Sequence, residues 1–441
     1  MSKQTEFKIY FANTSWMVFG RLFKALIAFI VGIFVARYLG PDRYGVLNYA
    51  IGVSSLFVVF TSMGLNRVLT LDFVRKSYSD EALLGSSLFL RNIGALLSLL
   101  SVILFLIISK SDLETTLLTI ICSISFFARP FENLRFLFEA KVWAKNIAIV
   151  EVIQCILSSL LRIYFILVKE DVLWFAVSWL SEWIFVSLGY VYVYRKKINK
   201  HWIFDYNKDA IFHLLRQGFP LLLSGIAIVV YQQIDKIMIR DMLIFDGDEQ
   251  LGFYSVAARI MPFVFLVPQM LSKALVPALM NSESNQEKYK KRLQLYLDIM
   301  TWTGISLSVI LITISKPLIW FYGQEFSSSV ILLQIMALKG VFFTMSLSSG
   351  LWIISQGLNK WALVRNLAGA ITNIILNLFM IPLYGALGAS YATVISLIIS
   401  SFLVHPLVPS LRPIFYLQFK SLTHGLINLV RYFTRQYKLN T

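Results

Sequence analysis

Long apolar stretches alternate with short polar stretches along almost the whole chain. The apolar stretches match the roughly 20 residues that a helix needs to cross the hydrocarbon core of a bilayer. This pattern predicts an all-α integral membrane protein with about twelve transmembrane helices, which we place at residues 16–36, 44–65, 83–108, 115–134, 147–167, 172–194, 215–240, 252–280, 296–315, 328–356, 362–383 and 386–408.

The composition agrees with the pattern. Of the 441 residues, 57% are hydrophobic and 15% are charged, whereas soluble domains carry about 25% charged residues. So much apolar surface requires lipid as its solvent. A net charge of +16 suggests nucleic acid as the partner of a soluble protein. Here the positions of the basic residues explain the charge, so we expect no nucleic-acid partner.

Basic residues are concentrated in every second polar segment. If the N-terminus is cytoplasmic, the segments predicted inside hold residues 195–197, three lysines between 288 and 291, Arg365 and many other basic residues. Cytoplasmic segments of membrane proteins are rich in Lys and Arg, so we predict that both termini are cytoplasmic. The segments predicted outside hold only Arg37, Arg43, Lys110, Lys169, Arg240 and Lys316.

The longest polar segment lies near the middle and suggests two halves. We predict a six-helix bundle at 1–194, a cytoplasmic basic linker at 195–214, a second six-helix bundle at 215–408 and a cytoplasmic tail at 409–441. The second helix of each half opens with a glycine, Gly45 or Gly252. This similarity is either a chance match or the trace of two parallel repeats, and such repeats place the substrate path at their interface.

The tail carries apolar residues at helical spacing. This spacing predicts a basic amphipathic helix that lies on the inner membrane surface, inserting its apolar side among anionic lipids. The alternative is a frayed basic tail. The apolar positions are Phe415, Phe419, Leu422, Leu426, Leu429 and Phe433.

Charged residues inside the predicted spans are the informative ones. A charge at the bilayer centre costs at least roughly 2.5–3.5 kcal/mol, so such side chains face a bundle interior or a watery cavity, or reach to an interface. The acidic ones are Glu132, Glu151, Glu182, Asp235 and Asp298. The basic ones are Arg21, Lys24, Arg91, Arg129, Arg162, Lys236, Arg259, Lys273 and Lys339.

We select two pairs of basic residues as candidate substrate-binding residues. Arg21 and Lys24 share one face of the first helix, although snorkelling to the nearby surface is an alternative. Arg259 and Lys273 lie on similar faces of the eighth helix, separated by Pro262 and Pro268, where kinks are expected. The alternative for Arg259 is a structural ion pair with a nearby aspartate.

Arg91 in the third helix is a fifth candidate for substrate binding. Asp235 is a candidate ion-coupling residue, or forms a self-neutralising pair with Lys236. Because basic residues outnumber acidic ones inside the spans, we expect an anionic substrate. A diphosphate fits, since its oxygens are well matched to arginine.

Features of an enzyme or a metal centre are weak. The sequence shows no phosphate-binding glycine loop, zinc motif or catalytic triad order, and its two cysteines and four histidines have no ligand spacing. Asp246 and Asp248 form a D-x-D on a short predicted outer loop, which we interpret as a solvated turn. We expect a transporter without a metal or cofactor.

Several segments resemble one known family. Residues 34–41 and 44–45 (FVARYLGP and YG) are similar to the helix 1–2 signature of polysaccharide transporters of the O-antigen flippase (Wzx) type. These belong to the multidrug/oligosaccharidyl-lipid/polysaccharide (MOP) flippase superfamily. The signature of the second half is matched by residues 233–239 and 252–259, and that of the last helix by residues 382–390 (QIDKIMI, GFYSVAAR and PLYGALGAS).

The resemblance implies two six-helix bundles with pseudo-two-fold symmetry around a MATE-like V-shaped cavity. It implies a protein of the bacterial cytoplasmic (inner) membrane that flips an undecaprenyl-diphosphate-linked oligosaccharide for O-antigen or capsule synthesis. A gradient of H⁺ or Na⁺, or the membrane potential, would drive transport. Expected partners are membrane lipids, a polysaccharide polymerase and a chain-length regulator. Arg21 and Arg259 best match the cationic cavity of the family.

Two other functions stay open. A cation-coupled multidrug exporter of the same superfamily would need an acid-lined cavity, against which the excess of basic residues speaks. A membrane polysaccharide polymerase would need catalytic residues at the outer surface, where the predicted loops are short.

Overall fold

Helices make up the whole regular structure. The computed structural model describes residues 3–198, 205–282 and 285–440, and every regular element within those ranges is helical. The helices are α1 (Lys3–Ser62), α2 (Leu65–Arg75), α3 (Asp80–Ile108), α4 (Leu113–Ile124), α5 (Asn133–Ala140), α6 (Ala144–Val168), α7 (Val172–Lys197), α8 (Lys208–Met242), α9 (Gly247–Met280), α10 (Gln286–Trp320), α11 (Ser329–Ala337), α12 (Lys339–Ser355), α13 (Asn359–Tyr384), α14 (Ala386–Ile398), α15 (Val404–Leu407) and α16 (Arg412–Asn440).

The helices are long and apolar enough for a multi-pass membrane protein, as predicted. Within the described ranges ten helical stretches meet this condition, and Leu113–Phe127 with Arg129–Ala140, bent by 41°, is an eleventh if the bent pair is counted as one span. The first of the ten runs over Gly20–Arg75, 56 residues. A straight helix of that length would measure about 80 Å, more than twice the hydrocarbon core. This stretch is therefore long enough for two spans, and the count of about twelve stays a prediction.

A single residue separates the first two spans. Gly40 has φ 70° and ψ 174°, outside the helical region, and Pro41 follows it. Positive φ costs glycine little, and proline suits the first position of a helix because its missing N–H would be unpaired there anyway. The gap predicted at 37–43 is thus a sharp break with helix on both sides.

Two compact units divide the chain, Met1–Ile237 and Met238–Thr441. The division falls inside α8. The four segments proposed from the sequence, with boundaries at 194, 214 and 408, stay predictions, as do the pseudo-two-fold symmetry and the V-shaped cavity. Residues 199–204 of the predicted linker lie outside the described residues.

Each unit has its own apolar core. In the first unit, one cluster includes Leu69, Leu134 and Phe138. In the second, a cluster forms around Leu297 and Met300 of α10. Many other large apolar side chains are exposed, as expected for surfaces solvated by lipid.

Close backbone contact holds α1 against α3. A Cβ atom at Gly94 would lie 2.2 Å from the carbonyl oxygen of Phe60. Small residues allow such contact between membrane helices, so no larger side chain fits at Gly94 without a shift of one helix.

The predicted tail helix is present as α16, and it is built into the second unit. Its buried stripe is partly polar and includes Gln418, Ser421 and Gly425. The apolar side chains of Phe419 and Leu426 are about half exposed. They are therefore available to lipid, and insertion into the membrane surface stays a prediction. The sequence did not predict the polar stripe.

Candidate functional site

A network of charged side chains lies inside the first unit. It connects α1, α3, α6, α7 and the broken span between residues 113 and 140. We call it the charged network, and its members are Lys24, Arg91, Arg129, Arg135, Arg162, Glu132, Glu139, Glu151 and Glu182.

The break in the fourth span places three members of the charged network. Short 3₁₀ turns cover Ser125–Phe127 and Arg129–Glu132, and Pro130 removes a backbone donor. Proline in a membrane helix loosens the backbone at that point. The chain resumes as α5, so Arg129 and Glu132 project into the unit from the irregular region and Arg135 from the first turn of α5.

Arg135 is the most connected member. Its guanidinium lies 3.8 Å from Glu132, 3.1 Å from Glu139 and 3.4 Å from Glu151. Tyr190 of α7 donates a hydrogen bond of 3.2 Å to Glu151. One guanidinium thus serves three carboxylates, which lowers the cost of burying them.

Arg91 is completely enclosed, with 1% of its surface exposed. It donates to the side-chain oxygen of Asn66, and its guanidinium lies 3.9 Å from Glu132 and 5.4 Å from the ring centroid of Phe136. Its Nε has no hydrogen-bond partner among the described residues. In this conformation Arg91 holds the charged network together and does not reach a surface.

Two further arginines join the charged network. The guanidinium of Arg129 stacks 3.5 Å from the ring of Trp183, a favourable cation–π contact. Arg162 pairs with Glu182 and donates a hydrogen bond of 3.2 Å to Ser178. The pair links α6 to α7, which follow each other through a short turn. The sequence showed both charges inside spans but did not show that they face one another.

A cavity of about 90 Å³ opens within the charged network. This volume holds several water molecules but no saccharide. Carboxylates, amines and ring edges line it, so it suits water, protons or a small ion. The lining residues are Lys24, Glu132, Arg135, Glu151, Gln154, Glu182, Trp183, Val186 and Tyr190.

The structure brings two of the predicted site residues into the charged network. Lys24, with 41% of its side chain exposed, lies 4.0 Å from Glu151, and Arg91 is enclosed as described. Arg21 is exposed and borders a small cleft that Arg135 and Glu151 also line. Gly20 allows this approach, because a Cβ there would be 3.1 Å from Cβ of Ala148 on α6.

The other predicted site residues are not members of this network. Asp235 is buried in α8 with 3% of its surface exposed. In the second unit, Arg259 is half-buried and Lys273 is exposed on α9. Their roles stay predictions. Asp248, the second aspartate of the D-x-D that we interpreted as a solvated turn, accepts a hydrogen bond of 2.6 Å from Arg240.

Two buried charges of the second unit have contacts that the sequence did not show. Asp298 is 1% exposed and accepts hydrogen bonds from Gln294 (2.7 Å), Ser421 (2.6 Å) and Asn428 (3.2 Å). Arg365 was counted among the cytoplasmic basic residues, and its side of the membrane stays a prediction. Its side chain is 6% exposed and bonds to Ser346 and Ser349 of α12. Hydropathy marks the depth of a residue but not the face on which it packs.

Family models match most of the chain. One described as "Polysaccharide biosynthesis protein" matches residues 10–283, and one described as MatE matches residues 220–379. The capsular polysaccharide biosynthesis protein CapF of Staphylococcus aureus is 20% identical over 397 residues, which cover 87% of this chain and 95% of CapF. A Shigella flexneri protein, provisionally named an O-antigen transporter, is 23% identical over 409 residues, covering 89% and 96%.

Solved structures share the fold. An inward-facing multidrug resistance MATE family transporter of the MOP superfamily superposes with a TM-score of 0.66 at 15% identity, covering 90% of this chain and 96% of the other. The lipid II flippase MurJ, in an inward closed conformation, has the same TM-score at 18% identity, covering 94% and 92%. At such identities the likeness shows the fold alone.

Proposed function

Because the chain belongs to the polysaccharide biosynthesis protein family, we propose that it flips a lipid-linked saccharide across a membrane. The cargo we infer is an undecaprenyl-diphosphate-linked oligosaccharide repeat unit. It would move from the cytoplasmic to the outer face of a bacterial cytoplasmic membrane by alternating access, without covalent chemistry. The family match over residues 10–283 is the observation that carries this proposal.

The charges of the first unit support an anionic cargo. The charged network has five basic and four acidic members, and Arg21 adds an exposed cation beside it. Diphosphate oxygens are recognised well by arginine. We propose that Arg21, Lys24, Arg259 and Lys273 contact the diphosphate or acidic sugars. Because Arg91 is buried, we propose that it does not contact the cargo and instead holds Glu132 in position.

Coupling to an ion gradient is part of the proposal. Asp235 is buried as expected for a residue that exchanges a proton or Na⁺. We propose H⁺ or Na⁺ movement, or the membrane potential, as the driving force. The distribution of basic residues supports cytoplasmic termini, and a polysaccharide polymerase and a chain-length regulator would act on the flipped product.

A multidrug exporter is the competing function, since a MATE transporter shares the fold equally well. Export of cationic drugs needs acidic residues that are free to bind cations. In the charged network, Glu132, Glu151 and Glu182 are each paired with an arginine. That pairing favours the flippase.

Deleting the gene in its native host tests the function. We expect completed diphosphate-linked repeat units to accumulate on the cytoplasmic face and surface polymer to disappear. Units that reach the outer face without polymerisation would point instead to a polymerase. Normal glycan with new drug sensitivity would point to the exporter.

Complementation with single variants tests the site. Arg259→Ala should abolish surface polysaccharide while the protein stays in the membrane at normal level. Arg43→Ala is the matched control, because Arg43 is exposed and pairs only with exposed Glu114 among the described residues; it should complement fully. Normal polysaccharide with Arg259→Ala would remove Arg259 from the site.

A further inference from the structure

An open cavity lies at the start of α8, where this helix passes the turn between α2 and α3. Its volume is about 620 Å³, which is within the range of pockets that bind small molecules. One face of α8 and the ring of Tyr78 line the cavity, and all of its lining residues belong to the first unit. They are Tyr78, Asp209, Phe212, His213, Arg216 and Gln217.

The face of α8 that lines the cavity is polar at positions where an amphipathic helix is usually apolar. Its members, from Asp209 to Gln217, follow the spacing i, i+3, i+4, i+7 and i+8, which is typical of a stripe that packs against a core. The stripe that does pack is displaced by one position. It consists of Ala210, Leu214 and Gly218, which are all buried. The polar face is therefore left to the cavity over more than two turns.

Contacts with the core of the unit fix one wall of the cavity. Nε2 of His213 lies 3.1 Å from the carboxylate of Asp72, which is 5% exposed. The hydroxyl of Ser77 donates to the same carboxylate at 3.3 Å. The ring of Tyr78 packs against that of His213, with the ring centroids 5.6 Å apart. The protein thus holds both rings in place without a ligand.

Two charged groups of the cavity have no protein partner among the described residues. The carboxylate of Asp209 and the guanidinium of Arg216 are exposed, and neither forms an ion pair or a side-chain hydrogen bond in that part of the chain. Seven residues separate them, so they lie on the same side of the helix, about 10 Å apart along its axis. A ligand that carries one negative and one positive group would pair with both of them.

The order of these charges along α8 matches the order of charges in a phospholipid headgroup. The helix begins at Lys208, becomes apolar from Phe219 onward and is apolar enough overall to cross a membrane. Arg216 is the charge nearer to the apolar stretch, and Asp209 is the one further from it. In phosphatidylethanolamine the phosphate is likewise nearer to the acyl chains than the ammonium is. Leu223, seven residues after Arg216 and on the same side, is 53% exposed and offers an apolar contact for an acyl chain.

We propose that this cavity binds the headgroup of phosphatidylethanolamine. The phosphate accepts hydrogen bonds from the guanidinium of Arg216 and the amide of Gln217, and the primary ammonium donates to the carboxylate of Asp209. The rings of Tyr78 and Phe212 cover the ammonium by cation–π contact. An anionic lipid lacks the ammonium and leaves Asp209 without a partner. The lipid is a bound ligand and not the cargo, so this inference does not depend on the proposed function.

Titration of the purified, delipidated full-length protein with three lipids of identical acyl chains tests the proposal. Native mass spectrometry gives the dissociation constant of the first bound lipid. We expect phosphatidylethanolamine to bind about fivefold more tightly than phosphatidylglycerol, which has no ammonium, and than phosphatidylcholine, whose ammonium has no N–H donor.

Three results would overturn the proposal. Equal binding of the three lipids would mean unspecific lipid contact. Tighter binding of phosphatidylglycerol would mean a site for anionic lipid. Displacement of the bound lipid by water-soluble glycerophosphoethanolamine at equal concentration would mean a site for a soluble zwitterion, to which the apolar side of α8 contributes nothing.

Variants of exposed residues locate the site without disturbing the core. Asp209→Asn should abolish the preference for phosphatidylethanolamine over phosphatidylglycerol, and Arg216→Gln should weaken binding of phosphatidylethanolamine about fivefold. The matched controls are Asp205→Asn and Arg67→Gln, because both residues are exposed and neither lines the cavity. Both controls should keep the preference of the wild type. A preference that persists in Asp209→Asn, or that is lost equally in Asp205→Asn, would refute the assignment.

Discussion

Replacing Asp298 by alanine should loosen the last helix from the second unit. The carboxylate accepts hydrogen bonds from Gln294 of α10 and from Ser421 and Asn428 of α16. Bonds to a charged group contribute about 1.5–3 kcal/mol each. Two of the three donors have other acceptors within reach, since Gln294 also bonds to Leu417 and Ser421, and Ser421 also bonds to Leu417.

The net cost is therefore close to that of one bond. Only Asn428 is left without another acceptor among the described residues, and we expect the free energy of unfolding of α16 to fall by about 2 kcal/mol. This corresponds to roughly a 30-fold rise in the opening equilibrium of α16. We expect this loss of stability to be confined to α16, because a helix at the edge of the unit can open without the rest of the unit unfolding.

Hydrogen exchange of the protein in nanodiscs measures this directly. Backbone amides of residues 417–428 should exchange about 30-fold faster in Asp298→Ala, while amides of α14 keep their rates. Glu287→Ala is the control, since Glu287 lies on the same helix but is exposed and pairs only locally with Lys291; exposed pairs contribute little. Unchanged exchange in Asp298→Ala, or an equal change in Glu287→Ala, would refute the reasoning.

Two further predictions concern the first unit, where Cys122 and Cys155 are both buried and report unfolding by their reaction with a thiol dye. Arg162→Ala and Glu182→Ala should each destabilise it by about 3 kcal/mol, because each leaves a charge unpaired, and the double variant should cost clearly less than their sum; strict additivity would show that the pair is not coupled. Gly94→Ala should lower the unfolding temperature by several degrees, because its Cβ meets the carbonyl oxygen of Phe60 at 2.2 Å, at a cost of about 1–3 kcal/mol. Gly52→Ala is its control, since the new Cβ would make an ordinary contact of 3.5 Å, and an equal loss in both variants would exclude the contact as the cause.

The helices were readily predictable, because lipid imposes length and apolarity on each span. Two features of the helices were not predicted, each for a physical reason. A glycine with positive φ followed by proline breaks a helix within one residue, so the predicted gap at 37–43 was too wide. Polar residues of an amphipathic helix are ordinarily expected to face solvent. The sequence therefore did not predict that Gln418 and Ser421 of α16 are buried.

The candidate site was only partly predictable. Hydropathy identifies charges inside spans, and these included Lys24, Arg91, Arg162 and Glu182. Periodicity gives the face of each helix but not its neighbour, so the pairing of Arg162 with Glu182 and the sharing of Arg135 among three glutamates emerged only from the structure. The burial of Arg365 was not predicted, because it depends on packing against α12.

The position of α16 has a consequence for biogenesis. The residues that bond to Asp298 and to His405 belong to the last helix described, Arg412–Asn440. The helices that carry Asp298 and His405 are synthesised before α16, so both side chains lack these partners until α16 has left the ribosome. An insertase or quality-control protease that recognises uncompensated polar groups in the bilayer would find them in this interval, and a stop codon before Arg412 would make that interval permanent.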